Sequence, residues 1–211
     1  MITTADIAEA ARRIEPHVCR TPLLRSAPMS ERIGATIAIK AEHRQHTGSF
    51  KLRGALNKVL GLGETERAAG IITASSGNHG IATALAANIA DVACTVYLPA
   101  GASPAKVAAI GRLGATIVTV DDADAHQAEI EARSAATGQG RVYISPYNDA
   151  AIMAGQGTVG REIDAQAADA FDGTGPDAVV VAVGGGGLIS GVATWLAAER
   201  PDTLVIGASP A

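Results

Sequence analysis

A lysine at the start of a predicted helix is the residue best placed for chemistry. It lies in residues 47–55 (TGSFKLRGA), the lysine stretch, which follows an apolar strand-like run and opens a helical run over residues 51–60. A lysine at such a junction can be partly desolvated, which lowers its pKa and makes the amine a usable nucleophile. For Lys51 alone a solvated surface position is the simpler interpretation, so its function depends on two later stretches.

Four consecutive glycines, residues 184–187, form the glycine loop between a predicted apolar strand and a predicted helix. Backbone N–H groups freed there can converge at a helix N-terminus, which is an anion site best suited to phosphate. The dinucleotide pattern G-x-G-x-x-G fails, because its third glycine position falls on Ile189 or Ser190, and no P-loop motif occurs. A simple turn is the alternative, but four glycines cost more conformational entropy than a turn requires.

Residues 75–80 (SSGNHG) also follow a predicted strand and open a predicted helix. Their serine, asparagine and backbone N–H groups can bind a carboxylate. They do not form a nucleophile elbow, because Ala74 occupies the position of the first glycine in G-x-S-x-G, and no H-E-x-x-H zinc motif occurs. Simple N-capping of the helix by Ser76 or Asn78 is the alternative for this stretch alone.

One type of ligand would account for all three stretches. A lysine amine, a phosphate site and a carboxylate site suit a phosphorylated aldehyde that is held by its phosphate and condensed on the lysine. The ordered motifs resemble those of the fold-type II pyridoxal-phosphate enzymes, and within them the threonine/serine dehydratase and serine racemase group. The matching motifs cover nearly the whole chain, and they are residues 21–23 (TPL), 47–55, 75–80, 154–158 (AGQGT) and 184–188 (GGGGL).

The resemblance implies a fold as well as a chemistry. Enzymes of this group have a two-domain α/β fold of the tryptophan synthase β type, with parallel sheets covered by helices. On that basis residues 1–67 and 146–211 form a large domain whose C-terminal part is missing, and residues 68–145 form a small inserted α/β domain. Pyridoxal 5'-phosphate would lie in the cleft between the two domains.

The cofactor-binding residues are carried over from the same resemblance. Lys51 would hold the cofactor covalently, Phe50 would lie against its ring, and Asn78 would hydrogen-bond the phenolic oxygen of the ring. The residues implied to bind the cofactor phosphate are Gly184, Gly185, Gly186, Gly187 and Leu188.

The implied activity is that of an ammonia-lyase, a dehydratase that converts L-threonine or L-serine to a 2-keto acid and ammonia. Lys51 would remove the Cα proton of the substrate. The substrate carboxylate would be bound by Ser75, Asn78 and His79. Ser76 matches the serine that acts in the racemase as the acid or base opposite the lysine, so a racemase, or a dehydratase of another β-hydroxy amino acid, is the alternative within this class.

Two departures from the family pattern restrict these expectations. Relatives continue well beyond the position of Ala211, and their additional part holds the partner of the pyridine nitrogen and the rest of the sheet. A truncated, non-catalytic fragment or a partner subunit is therefore the alternative from another class. Ser209 occupies the place where many relatives begin a regulatory cation site with a glutamate, so we predict no metal.

The predicted elements place the three stretches at junctions between strands and helices. A helix over residues 3–14 and a strand over residues 35–41 precede the lysine. From residue 70 onwards strands alternate with helices, which predicts right-handed βαβ units and a parallel sheet. The predicted strands are 70–74, 93–98, 115–120, 141–145, 178–183 and 203–207, and the predicted helices are 51–60, 78–89, 103–113, 122–136, 150–167 and 188–199.

Three details of this pattern can be checked in the structure. Asp121 or Asp122 is the expected N-cap of the helix that follows them. The glycines of residues 155–160 are expected to weaken the start of the helix predicted there. The apolar strand at residues 178–183 is expected to be buried on both faces.

Composition restricts the other function classes. The chain has 211 residues, 47% of them hydrophobic, and a formal net charge of −4 from interspersed acidic and basic residues. It has no basic run, which argues against binding of nucleic acid. It also has no apolar run of the ~20 residues that a membrane helix needs, and no secretion signal. Cys19 and Cys94 lack metal-ligand spacing and suit a reducing compartment. We expect a cytoplasmic protein with a small amino-acid substrate, and a homo-oligomer, as a dimer, for the full-length protein.

Overall fold

The computed structural model of the protein describes residues 1–121 and 124–209. Its strands are β1 (Leu23–Arg25), β2 (Ala38–Lys40), β3 (Ile71–Ala74), β4 (Cys94–Pro99), β5 (Thr116–Val120), β6 (Val142–Tyr143), β7 (Ala178–Ala182) and β8 (Leu204–Ala208). Its helices are α1 (Thr4–Ile14), α2 (Ala27–Ile33), α3 (Lys51–Leu60), α4 (Glu64–Ala69), α5 (Asn78–Ala90), α6 (Pro104–Arg112), α7 (Ala125–Gly138), α8 (Ala150–Ala170) and α9 (Gly187–Glu199). Among these residues no helix has both the length and the apolar character needed to cross a bilayer.

Within the described part of the chain the strands form three sheets. β5, β4, β3 and β6 make a four-stranded parallel sheet in that order, and Ile71 of β3 pairs with Cys94 of β4 and Val142 of β6. β7 and β8 make a two-stranded parallel sheet, whereas β1 and β2 pair antiparallel. Because β3 and β6 are parallel neighbours, the loops that follow them leave the same edge of the sheet. Those loops are residues 75–77 and 144–149.

The N-cap of α7 differs from the prediction. Asp124 caps this helix, because its carboxylate accepts a hydrogen bond from the backbone N–H of Gln127 at 2.8 Å. An aspartate can satisfy the N–H three residues ahead only from the position directly before the helix. The prediction of Asp121 as the cap is therefore wrong, and Asp122 lies outside the described residues.

The long helix α8 packs against α1, α3 and α9. The helix is continuous through the glycines that were expected to weaken its start, and Asp149 caps it. A Cβ on Gly155 would lie 2.6 Å from the Cα of Gly54 in α3, and a Cβ on Gly191 in α9 would lie 2.7 Å from the Cα of Gly157. Each glycine costs a helix about 1 kcal/mol relative to alanine, and the close approach of backbones that it permits offsets this cost through packing.

The apolar strand β7 is covered on one face only. Val181 is buried, and the residues that share its cluster come from α8 and α9, namely Val159, Ile163, Val192 and Leu196. Val180, which points to the other face, is 66% exposed, and so is Leu204 on the neighbouring strand β8. The prediction of burial on both faces is wrong for the described residues, because helices pack against one face of this two-stranded sheet.

Buried charged residues join the lysine-bearing helix α3 to α8. Arg53 is fully buried, and its guanidinium donates to the carboxylates of Glu162 at 2.7 Å and Glu42 at 2.8 Å. Lys40 of β2 also donates to Glu162, at 2.5 Å. Burial by itself raises the pKa of Glu162, but the hydrogen bonds and charges of Arg53 and Lys40 outweigh burial and hold this pKa below its ordinary value. Two cations and two carboxylates thus compensate one another away from water.

Replacing Glu162 by Gln should leave Arg53 with Glu42 as its remaining carboxylate partner, and Lys40 without a carboxylate partner among the described residues. We expect Glu162→Gln to lower the free energy of unfolding at neutral pH by ~3 kcal/mol. Because folding lowers the pKa of Glu162, its contribution is complete above the unfolded-chain value of about 4.3 and is lost as the pH falls through the folded value. Denaturant titrations at neutral and acidic pH should therefore show the difference between the proteins shrinking in acid. Glu199→Gln, at an exposed position, is the control, and an equally small loss in both variants would contradict a stabilising network.

Candidate functional site

Lys51 is the first residue of α3 and lies half-buried. Its Nζ donates a hydrogen bond to the Pro146 carbonyl at 2.7 Å, and it lies 5.3 Å from the centroid of the Phe50 ring. Burial lowers the pKa of Lys51, because the charged form is disfavoured away from water. The lysine therefore is not a solvated surface residue, and it reaches the edge of the four-stranded sheet rather than the short antiparallel pair formed by β1 and β2.

The start of α5 carries no side-chain cap from the described residues. Its N-cap is Gly77, whose backbone N–H donates to the Ser75 hydroxyl at 3.1 Å. The alternative of simple N-capping by Ser76 or Asn78 is therefore wrong. The first N–H groups of a helix have no intrahelical partners and converge on a point that favours anions. At this end of the helix Ser76 is half-buried and Asn78 is exposed.

His79 lies in the first turn of α5 with its ring turned into the protein. The residue is 3% exposed, and its Nε2 lies 3.1 Å from the Ile144 carbonyl, which makes this nitrogen the donor. Burial lowers the pKa of His79 to about 4, with the hydrogen bond to Ile144 acting to raise it and the charge of Lys51 to lower it. His79 is thus a neutral imidazole at pH 7, and for a carboxylate at this helix start it presents its backbone N–H.

Tyr147 packs against the glycine loop. A Cβ on Gly185 would fall within the Tyr147 ring, and a Cβ on Gly187 would lie 3.0 Å from the Tyr147 carbonyl oxygen. At Gly184 and Gly186 a Cβ would meet open space. The loop therefore closes on Tyr147 with two of its glycines and leaves free volume beside the other two, at the N-terminus of α9.

The loop of residues 144–149 links the three predicted stretches. Its backbone carbonyls contact His79 and Lys51. Its aromatic ring, Tyr147, packs against Gly185. The sequence motifs did not point to this loop. The available signal was a proline and an aromatic residue directly after a parallel strand, where loops gather at the carboxyl edge of a sheet.

Phe50 and Leu188, from two of the predicted stretches, pack against the same apolar cluster, which contains Val181 of β7. The residue before Lys51 and the residue after the glycine loop are thus held by one set of side chains. The structure therefore brings together the lysine stretch, the start of α5 and the glycine loop.

Two buried hydroxyls in the lysine stretch make no hydrogen bond with the described residues. They are Thr47 Oγ1 and Ser49 Oγ. A buried hydroxyl without a partner costs about 1–3 kcal/mol, so a polar ligand beside Lys51 would remove this penalty. Together with a desolvated amine and a helix start that opens on free volume, these residues fit an aldehyde that carries a phosphate.

Comparison with known proteins decides the family. A family model described as "pyridoxal-phosphate dependent enzyme" matches residues 14–211. The chain belongs to this family. The predicted family, the α/β fold class and the pyridoxal 5'-phosphate cofactor are thereby confirmed.

Individual pyridoxal-phosphate dependent enzymes resemble the chain over nearly its whole length. It is 41% identical to an L-threonine ammonia-lyase of Thermotoga maritima over 209 residues, and the match covers 98% of the chain and 50% of that protein. It is 38% identical to a beta-hydroxyaspartate dehydratase of Paracoccus denitrificans, and the match covers 99% of the chain and 64% of that protein. The crystal structure of serine racemase from Dictyostelium discoideum matches with a TM-score of 0.89 at 35% identity, over 99% of the chain and 66% of that structure. The chain therefore spans about half to two thirds of the length of these relatives.

His79 should make the stability of this pyridoxal-phosphate enzyme depend on pH. The unfolded chain binds the histidine proton near pH 6.5 and the folded protein only near pH 4. Protonation in this range therefore favours unfolding, and the free energy of unfolding should fall by up to ~3 kcal/mol as the pH drops between these values. Denaturant titrations should show this slope in the unaltered protein and in the control His126→Gln, an exposed position on α7, and a smaller slope in His79→Gln. The same slope in all three proteins would sink this assignment.

Gly185→Ala should weaken binding of pyridoxal phosphate. The new methyl group would overlap the Tyr147 ring, so the glycine loop would have to shift, at a cost typical of overpacking, and affinity should fall at least about tenfold. The cofactor dissociation constant can be measured from visible absorption or by equilibrium dialysis. Gly101→Ala is the control, since its methyl group would enter open space outside the glycine loop. A similar loss of affinity in both variants would show that Tyr147 does not position the loop.

Proposed function

We propose that this chain provides the lysine, the phosphate site and the carboxylate site of an ammonia-lyase that converts L-threonine or L-serine to a 2-keto acid and ammonia. The observation that carries the proposal is the loop of residues 144–149, which contacts Lys51 and His79 and packs against the glycine loop. The similarity to an L-threonine ammonia-lyase supports the choice of reaction.

The division into domains is part of this proposal. Residues 1–67 and 146–211 would form the large domain and residues 68–145 the small inserted one. All four strands of the central sheet fall within the small unit, which supports its boundaries. Helices α3 and α5 share one apolar cluster, so the two units would be joined by a continuous core.

The cofactor would be held by residues from three helix starts. Lys51 would carry it, Phe50 would pack against its ring, and Asn78 would donate to its phenolic oxygen. The glycine loop and Leu188 would bind the phosphate, which the free volume beside two of the glycines supports. When bound, pyridoxal phosphate supplies an electron sink that stabilises negative charge on the substrate Cα.

Proton transfer would be the task of Lys51. Its lowered pKa gives it a larger neutral fraction at pH 7 than a solvated lysine has, so Nζ can accept the Cα proton. The Pro146 carbonyl would orient Nζ, since it accepts a hydrogen bond from this nitrogen. Ser76 is proposed as the acid or base on the opposite side of the substrate, on the strength of the matching racemase motif.

The substrate carboxylate would bind at the start of α5. Ser75, Asn78 and His79 are the residues proposed for this role, with His79 acting through its backbone N–H. The missing side-chain cap at Gly77 supports an anion here, because the convergent N–H groups of the first turn otherwise have water as their partner.

A racemase or a hydroxyaspartate dehydratase is the second candidate. The relatives at 35–38% identity named above carry these two names, and Ser76 is compatible with racemisation. A non-catalytic fragment or partner subunit is the candidate from another class, motivated by the partial coverage of the relatives. We further propose a small amino-acid substrate, a cytoplasmic location and a homodimer for the full-length protein.

Lys51→Ala tests the cofactor part of the proposal. The protein incubated with pyridoxal phosphate should show the visible absorption band of a lysine-bound cofactor, and the variant should lack it, because no other amine takes the position of Nζ. Lys106→Ala, an exposed lysine on α6, is the control and should keep the band. Soluble, folded protein without the band would rule out cofactor attachment by this chain.

Product analysis distinguishes the candidate reactions. The cofactor-loaded protein should release keto acid from L-threonine or L-serine faster than from threo-3-hydroxyaspartate, and Lys51→Ala should lower the rate by at least about a thousandfold. Formation of D-serine without keto acid would favour the racemase. A cofactor band without any turnover would favour the non-catalytic alternative.

A further inference from the structure

A separate cavity of about 210 Å³ lies between α1, the turn at Glu15–His17 and α8. No residue of the glycine loop or of residues 75–80 lines it. Its wall contains four arginines and two glutamates, which are Arg12, Arg20, Arg53, Arg161, Glu15 and Glu162. The side chains of its wall therefore carry more positive than negative charge.

The arginines of this cavity differ in how their charge is balanced. Arg53 is buried and paired with Glu162 and Glu42. Arg12, Arg20 and Arg161 are exposed and make no ion pair with the described residues. The carboxylates of the wall do not compensate them, since Glu162 is already committed to Arg53 and Lys40 and only Glu15 remains.

Local explanations account for two of these arginines singly but not for their position around one cavity. Arg12 lies in the last turn of α1, where a cation interacts favourably with the helix dipole. The Arg161 guanidinium lies 5.9 Å from the centroid of the Trp195 ring. Neither effect requires these residues to line one cavity with Arg20, where their like charges repel one another.

An anion in the cavity would convert this repulsion into attraction. A guanidinium presents a planar fork of N–H donors that matches carboxylate and phosphate oxygens. The volume accepts a compact anion, and an excess of two positive charges on the wall matches a dianion in sign and magnitude. Arg53 contributes a fourth guanidinium to the wall, and its buried partners tie the cavity to α3, which begins at Lys51.

We propose that this cavity binds a compact dianion, of the phosphate or dicarboxylate type, through Arg12, Arg20 and Arg161. It is an anion site distinct from the glycine loop that is proposed for the cofactor phosphate. Occupation would place the anion against the buried Arg53 network, so binding should stabilise the folded protein.

Titration calorimetry on the protein saturated with pyridoxal phosphate tests the site, because the glycine loop is then occupied. Inorganic phosphate and malonate are titrated separately at low ionic strength. Saturable binding of phosphate would support the site. Saturable binding of malonate would support it only where the cavity variants below weaken that binding, because the start of α5 is also proposed to bind a carboxylate. Absence of saturable binding for both up to about 20 mM, an affinity too weak to matter, would overturn the proposal.

A pair of double variants separates a built site from diffuse attraction. Arg12→Gln with Arg161→Gln should weaken binding at least about tenfold, because two charge-assisted contacts are lost. Arg32→Gln with Arg112→Gln removes the same charge from exposed positions outside the cavity and should change affinity less than about twofold. Equal losses in the two double variants would overturn the proposal.

The single variant Glu15→Gln keeps the test informative if the arginine variant does not fold. It removes the one wall carboxylate outside the buried network, so the anion should bind several-fold more tightly. Unchanged or weaker binding would contradict the proposal. Binding is the readout throughout, so a failure to find lyase activity leaves this test intact, and a failure here leaves the proposed lyase intact.

Discussion

The close approach of α8 to its neighbours is the constraint on which the site depends. Glycines at Gly54–Gly155 and Gly157–Gly191 bring the backbones of α3 and α9 against α8, with spacings that leave no room for a Cβ. The helix α3 begins at Lys51 and α9 begins within the glycine loop, so both helix starts are positioned by one central helix. A substitution that pushed either helix away from α8 would also separate the Lys51 amine from the glycine loop, which is proposed to bind the phosphate.

Two regions of the molecule differ in how their buried polar groups are compensated. Around Arg53 charges are buried but paired, and their number balances. Around Lys51 the polar groups are desolvated. His79 is a neutral imidazole there, and two hydroxyls of the lysine stretch make no hydrogen bond with the described residues. Buried polar groups without a hydrogen bond are rare in proteins, and a polar ligand beside Lys51 would satisfy these two. The paired network joins α3 to α8, and the unsatisfied hydroxyls belong to the stretch whose lysine is proposed to carry the cofactor.

Most of the fold was predictable because its signals are local. Each strand and helix of the parallel sheet follows from apolar runs and their flanking turn residues, and observed boundaries differ from predicted ones by a few residues. The antiparallel pairing of β1 with β2, the helices α2 and α4, and the single covered face of β7 were not predicted. Their formation depends on neighbours distant in sequence, which no window of ten or fifteen residues contains.

The sequence by itself determined the family, the cofactor and the helix starts that carry the candidate residues, because ordered motifs with fixed local spacing encode them. Only the tertiary structure decided which groups meet. Lys51 and Pro146 lie 95 residues apart and are joined by a hydrogen bond. The His79 ring points inward, and Tyr147 packs against the glycine loop. Both contacts arise because the loops after parallel strands lie at one edge of the sheet and because helix packing sets the distance between those loops. For Lys51 the sequence supplied the amine, and the fold supplied the burial that lowers its pKa.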